Sequence, residues 1–179
     1  MIIKIVQLGN PVLRQQARSL SVEEIRSPSI QQLIEWMRET MHDAPGVGLA
    51  APQIGVPLKL AVIEDRADYL KAVPPEKLAE RDRRPVPFQV LINPKIELSG
   101  GQAEFHEGCL SFPGYVALVK RALIAKVTCL NHNGDETSFT AEGWHARIVQ
   151  HETDHLNGTV YVDRMNTRTL STVDNANKW

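Results

Sequence analysis

An α+β fold with a mostly antiparallel sheet, an early helix and a late helix is what the sequence predicts. Two observations carry this. Strand-like segments follow one another from Leu58 to Thr140 with turn residues between them, the order of an antiparallel sheet rather than of alternating βαβ units. Long helical periodicity is confined to one stretch before that run and one after it. At 179 residues the chain fits one domain, 1–179.

The first helix is predicted from Pro28 to His42. Ser27 suits the N-cap, and Pro28 suits the first helical position, where its missing N–H would be unpaired anyway. Ile30, Leu33, Ile34, Met37 and Met41 make one apolar stripe, and Ala44-Pro45-Gly46 stops the helix. The next segment, Gly46 to Gly55, carries three glycines and two adjacent alanines, so its backbone can approach another group closely. A tight helix-to-strand loop is the plain alternative.

Strands are predicted at Leu58–Glu64, Phe88–Asn93, Gln102–Phe105, Val116–Val119, Ile124–Leu130 and Glu136–Thr140. Asp65 to Pro87 is dense in charge and reads as an exposed excursion with one short helix at Glu76–Asp82. Asn133-Gly134 signals a type I′ hairpin. Gly143 to Leu156 reads as a helix closed by Asn157-Gly158, and Thr159–Val162 as a final strand.

Composition narrows the function classes. A net charge of −1 excludes a globally basic nucleic-acid binder, and no sequence-specific nucleic-acid partner is expected. Two cysteines cannot build a disulfide framework; beside six histidines they suit a metal site better. No run approaches the ~18 apolar residues of a membrane helix. The apolar Met1–Val6 is too short for a signal peptide, so the chain reads as cytoplasmic, or as the mature form of an imported organellar protein.

His151-Glu152-Thr153-Asp154-His155 lies inside the late helix. Its spacing puts both imidazoles on one face, one turn apart, with Glu152 beside the first. A catalytic metal needs a third protein ligand. Downstream only Asp163 and Asp174 could serve, because no His, Glu or Cys follows His155. Upstream, Cys109 in Glu107-Gly108-Cys109-Leu110-Ser111 and His106 are the serious candidates. Cys129 alternates with Val127 and is expected in the core.

Three segments together, Gly46-Val47-Gly48-Leu49-Ala50-Ala51-Pro52-Gln53, Glu107 to Ser111 and Gln150 to His155, resemble the signature motifs of peptide deformylases (type 1, nearest the organelle-like 1A branch) in order and spacing. The resemblance implies a sheet packed around a metal-binding C-terminal helix. It implies removal of formate from N-formylmethionine of nascent polypeptides, with passing proximity to the ribosome. It implies one divalent metal ion, Fe2+ usually and Zn2+ or Ni2+ otherwise, held by Cys109, His151 and His155. Glu152 would move the proton, and the side-chain amide of Gln53 and the backbone N–H of Leu110 would stabilise the oxyanion.

Val47 and Gly48, with Trp144, Arg147 and Ile148 from the metal helix, would form the pocket for the methionine side chain. Arg121 would pair with Asp154 and orient that helix. Val116 stands where many relatives carry a substrate-anchoring arginine. Thr172–Trp179 is short and polar, and no ribosome-docking helix is expected there. Two other readings remain: an endopeptidase using Asp163 as third ligand, and a non-catalytic closed site in which His106 joins the other three.

Overall fold

The computed structural model describes residues 1–176 and 178. Two long helices flank the sheet: α1 (Pro28–Asp43) and α2 (Gly143–Leu156). Ser27 caps α1 through its side chain, and the buried Ile34, Met37 and Met41 face the sheet. Burying each such side chain stabilises the fold by about 1.5–3 kcal/mol.

The strands are β1 (Gly48–Ala50), β2 (Leu60–Asp65), β3 (Val86–Cys109), β4 (Phe112–Leu130), β5 (Glu136–Glu142) and β6 (Ser171–Thr172). The sheet order is β1-β2-β3-β4-β5, every pair antiparallel, with β6 pairing to the start of β4. One apolar cluster lies between α1 and β1–β2 and includes Leu49, Leu60 and Ile92. A second lies between α2 and β3–β5 and includes Val127, Cys129 and Val149. Cys129 is therefore core, as expected.

Several expectations are corrected. Phe88–Asn93 and Gln102–Phe105 belong to one long strand. The turn residues between them bend β3 without ending it: Asn93 at φ 51° and Gly100 and Gly101 at φ 79° and 78° sit at register shifts. Val116–Val119 and Ile124–Leu130 are likewise one strand, joined through Arg121, whose inward charge hides the apolar alternation. Asn133-Gly134 is no type I′ turn, which needs positive φ at both central residues; only Gly134 has it, at φ 80°. The hairpin instead closes with Gly134 N–H on Asn131 O and Asn131 N–H on Asp135 O.

The predicted final strand at Thr159–Val162 is a 3-10 turn, Tyr161–Asp163, because the Asp163 carboxylate accepts from Val160 N–H and curls the chain. The glycine-rich segment is more than a loop: it forms β1 and a 3-10 turn, Ala51–Ile54. The short helix of the charged excursion runs Pro75–Glu80. Val173–Ala176 forms one helical turn, while Asn177 and Trp179, part of the segment expected to hold no docking helix, lie outside the described residues.

Candidate active site

The register of the fold brings three donors together. Helical spacing sets His151 and His155 one turn apart on α2, and the β3–β4 hairpin delivers Cys109 at its turn. Cys109 Sγ lies 3.3 Å from His155 Nε2, which lies 3.2 Å from His151 Nε2. Donors ~2.0–2.3 Å from a shared tetrahedral ion sit roughly 3.5 Å apart, so this soft-plus-imidazole set fits one divalent metal. Among the described residues it is the metal-sized cluster found. Asp163 is engaged elsewhere, by Arg14 at 2.5 Å and Val160 N–H at 2.9 Å. His106 lines the cavity but stands outside the cluster.

Glu152 shares α2 with the histidines and is buried. Its Oε2 has no hydrogen-bond partner among the described residues. Burial raises its pKa to about 7, so it can both take and give a proton near neutrality. Gly48 makes room for it: a Cβ there would sit 2.7 Å from the Glu152 carboxyl carbon. This is the close approach expected of the glycine-rich segment.

Gln53 is fixed from both ends. Its Oε1 accepts from Ala50 N–H at 2.8 Å, which aims Nε2 at Cys109 Sγ (3.5 Å) and Ser111 Oγ (3.3 Å). Leu110 follows Cys109 and packs its side chain toward Gly46. Val47, Gly48, Gln53, Leu110, Trp144, Arg147 and Ile148 all line one cavity of about 430 Å³ with Cys109, His151 and Glu152.

The expected Arg121–Asp154 pair is present at 2.5 Å, and Arg164 adds two bonds to the same carboxylate. Glu107, to which the sequence assigned no role, is the hub. Its carboxylate accepts from His151 Nδ1 at 2.6 Å, from Arg121 at 2.6 and 3.1 Å and from Arg147 at 3.0 Å. Burial alone would raise its pKa, but His151 and Arg121 outweigh burial and hold it far below the usual carboxylate range. Burial likewise disfavours a charged His151, yet its bonds and proximity to Cys109 and Glu107 raise its pKa well above the ordinary value. Burial drives the His155 pKa well below it.

Arg147 lines the cavity, but its guanidinium serves Glu107, Val119 O and Ala103 O, so its polar end supports rather than receives. The charged excursion, expected to be a solvated face, reaches the site: Arg83 clamps the buried Asp65 at 2.8 and 2.9 Å and lines the cavity beside Trp144.

Comparison with known proteins agrees with this geometry. The family model described as "Polypeptide deformylase" matches residues 2–171. The chain is 50% identical over 172 residues to "Peptide deformylase 1A, chloroplastic" of Solanum lycopersicum, covering 96% of this chain and 62% of that protein. It is 47% identical over 170 residues to "Peptide deformylase 1" of Streptomyces coelicolor, covering 94% of this chain and 76% of that one. It thus spans less than two thirds of the tomato relative's length. The Met-Ala-Ser-bound crystal structure of a class I type b peptide deformylase from Acinetobacter baumannii superposes with a TM-score of 0.81 at 32% identity, covering 92% of this chain and 99% of that one. A Synechococcus elongatus deformylase in complex with actinonin gives 0.78 at 40% identity, covering 93% and 80%. Among the described residues no helix is long and apolar enough to cross a membrane.

Proposed function

Since the chain belongs to the polypeptide deformylase family, we propose that it hydrolyses the formyl group from the N-formylmethionine of nascent polypeptides, releasing formate. The observation that supports this most is the convergence, in one cavity, of the Cys109, His151 and His155 donors with the unpartnered Glu152 oxygen and the aimed Gln53 amide.

One divalent ion per chain, Fe2+ first and Zn2+ or Ni2+ as alternatives, would be held by Cys109, His151 and His155, and would supply a Lewis acid and acidify a water. Glu152 Oε2 takes the proton of the attacking water and returns it to the leaving amine, a role that its buried, unpartnered oxygen beside the three donors suits. Gln53 Nε2 and the backbone N–H of Leu110 donate to the oxygen on which negative charge develops. Because Gln53 is locked by Ala50 N–H, its donor is placed before the reaction begins. Val47, Gly48, Trp144 and Ile148 wall the methionine pocket, and Arg147 braces that wall through Glu107. The bulk of Trp144 narrows the pocket.

The partners are formylated nascent peptides, met close to the ribosome; neither a membrane nor a specific nucleic acid is a proposed partner. Chloroplastic and bacterial relatives suggest the bacterial cytoplasm or an organelle as the compartment. An anaerobic assay of formate release from formyl-Met-Ala-Ser, with the peptide products separated, tests the reading. Formate with an intact peptide is expected. Cleavage of the peptide bond without formate would support the endopeptidase reading and overturn this one.

A further inference from the structure

A second cavity, of about 50 Å³, lies where the charged excursion meets the start of α2. Trp144 and Arg147 line both it and the larger cavity, whereas Arg81, Phe105, Arg121 and Leu123 line only the smaller one. Gly143 permits this junction. At φ 55° it lies so close to the excursion that a Cβ would sit 2.6 Å from Asp82 Cβ and 2.7 Å from Asp82 O. Trp144 N–H donates to Asp82 O at 3.5 Å, in place of the side-chain cap that α2 lacks. Arg81 Nε and Trp144 Nε1 are buried, and neither has a hydrogen-bond partner among the described residues. Both are N–H donors that cannot accept, so an occupant that satisfies them must be an acceptor.

Charge decides what kind of acceptor. Arg83, Arg84, Arg121 and Arg147 each have a carboxylate partner, at 2.8, 2.8, 2.6 and 3.0 Å, while the half-buried Arg81 has none among the described residues. The Arg81 guanidinium lies 5.0 Å from the Trp144 ring and 5.7 Å from the Phe105 ring, and that of Arg147 lies 5.7 Å from the same Trp144 ring. Two acidic residues share the lining, but Asp82 is taken by Arg84 and Glu80 is exposed. Burial first, and Arg83 second, lower the Arg81 pKa against a smaller opposing pull from Glu80. A water would satisfy the orphan N–H groups but leave this crowded cation without a counter-charge.

We propose that this cavity binds one small monovalent anion of halide size, held by Arg81 Nε–H and Trp144 Nε1–H where the excursion meets α2. The ion supplies the counter-charge that Arg81 lacks and ties the excursion to the metal-bearing helix. The proposal stands independently of the deformylase reading, because it uses none of the groups assigned to the reaction.

The test is the thermal midpoint of the metal-loaded protein as chloride replaces gluconate, an anion too large for the cavity, at constant ionic strength. Wild type, Arg81→Met and Arg81→Lys are compared. Between roughly 10 and 500 mM chloride the wild-type midpoint should rise by roughly 4 °C or more. Arg81→Lys keeps the charge and should keep part of the rise, and Arg81→Met should lose it, whatever its own starting midpoint. Anomalous scattering from a bromide-soaked crystal then locates the ion, with a peak expected between Arg81 and Trp144. No chloride dependence in wild type, an equal dependence in Arg81→Met, or a peak confined to the metal centre overturns the proposal. A peak in this cavity without a chloride-dependent midpoint marks an adventitious ion only and overturns it as well.

Discussion

Replacing Glu107 by Gln probes the support beneath the proposed metal ligands. The Glu107 carboxylate accepts four hydrogen bonds, three from Arg121 and Arg147 and one from His151 Nδ1. Both guanidiniums are buried, each 4% exposed. A Gln side chain of the same shape carries no charge, and one of its two heads donates where only an acceptor fits. Removing one partner of a buried ion pair costs about 3–5 kcal/mol. That is a large part of the ~5–15 kcal/mol that holds a domain together. His151 Nδ1–H also exchanges a carboxylate acceptor for at best a neutral amide oxygen, and weakening such a supporting bond costs roughly 10–100-fold in metal affinity. Urea unfolding of the metal-free protein and chelator competition on the folded protein measure the two effects. Glu107→Asp serves as the control: it keeps the charge but draws the carboxylate back, so it should lose metal affinity with a smaller stability loss. A Glu107→Gln protein with wild-type unfolding midpoint and wild-type metal affinity would refute the reasoning.

Gly48→Ala places a methyl group against the Glu152 carboxylate. Displacing that group by about 1 Å should lower kcat roughly 100-fold while metal content stays at wild-type level; unchanged kcat would contradict the packing argument. In the metal-free protein, the burial that raises the Glu152 pKa to about 7 from 4.5 makes the folded state hold a proton that the unfolded chain releases. Stability from this group is therefore lost as pH rises through that interval, by about 3 kcal/mol at most, and urea midpoints should show that the loss is absent in Glu152→Gln. Trp144→Leu should widen the methionine pocket and raise kcat/KM for formyl-Phe substrates relative to formyl-Met by roughly tenfold; an unchanged ratio would count against Trp144 as a pocket wall.

Much of this architecture was legible in the sequence because local rules and tertiary packing agreed. Ser27-Pro28 starts α1, and the histidine spacing requires the helical face that α2 provides. The wide hairpin was illegible for a physical reason. Asn93 and Gly100-Gly101 are turn residues, but here they twist and bulge a continuing strand. Thr159–Val162 reads as a strand because Val160, Tyr161 and Val162 form an apolar β-favouring run, but Val160 and Tyr161 are buried in a turn held by Asp163. In the site, the His151–His155 pair and Glu152 followed from motif and spacing, whereas Cys109 came from the resemblance, because the residues alone left His106 open beside it. The Glu107 hub followed from neither, since its partners Arg121, Arg147 and His151 come from β4 and α2 and meet only through register. The available signal was charge at inward-facing strand positions: Glu107 and Arg121 both sit where an apolar residue would be expected. Arg83 gave no signal, because its function depends on the excursion folding back onto Asp65.

The central claim is that Glu152 carries the proton in a site whose metal is held by other residues. Formate release from formyl-Met-Ala-Ser by Glu152→Ala, measured alongside its metal content, tests this most directly. Full metal occupancy with kcat reduced by roughly 100-fold or more is predicted, the scale of a lost general base. Wild-type turnover at full occupancy would contradict it.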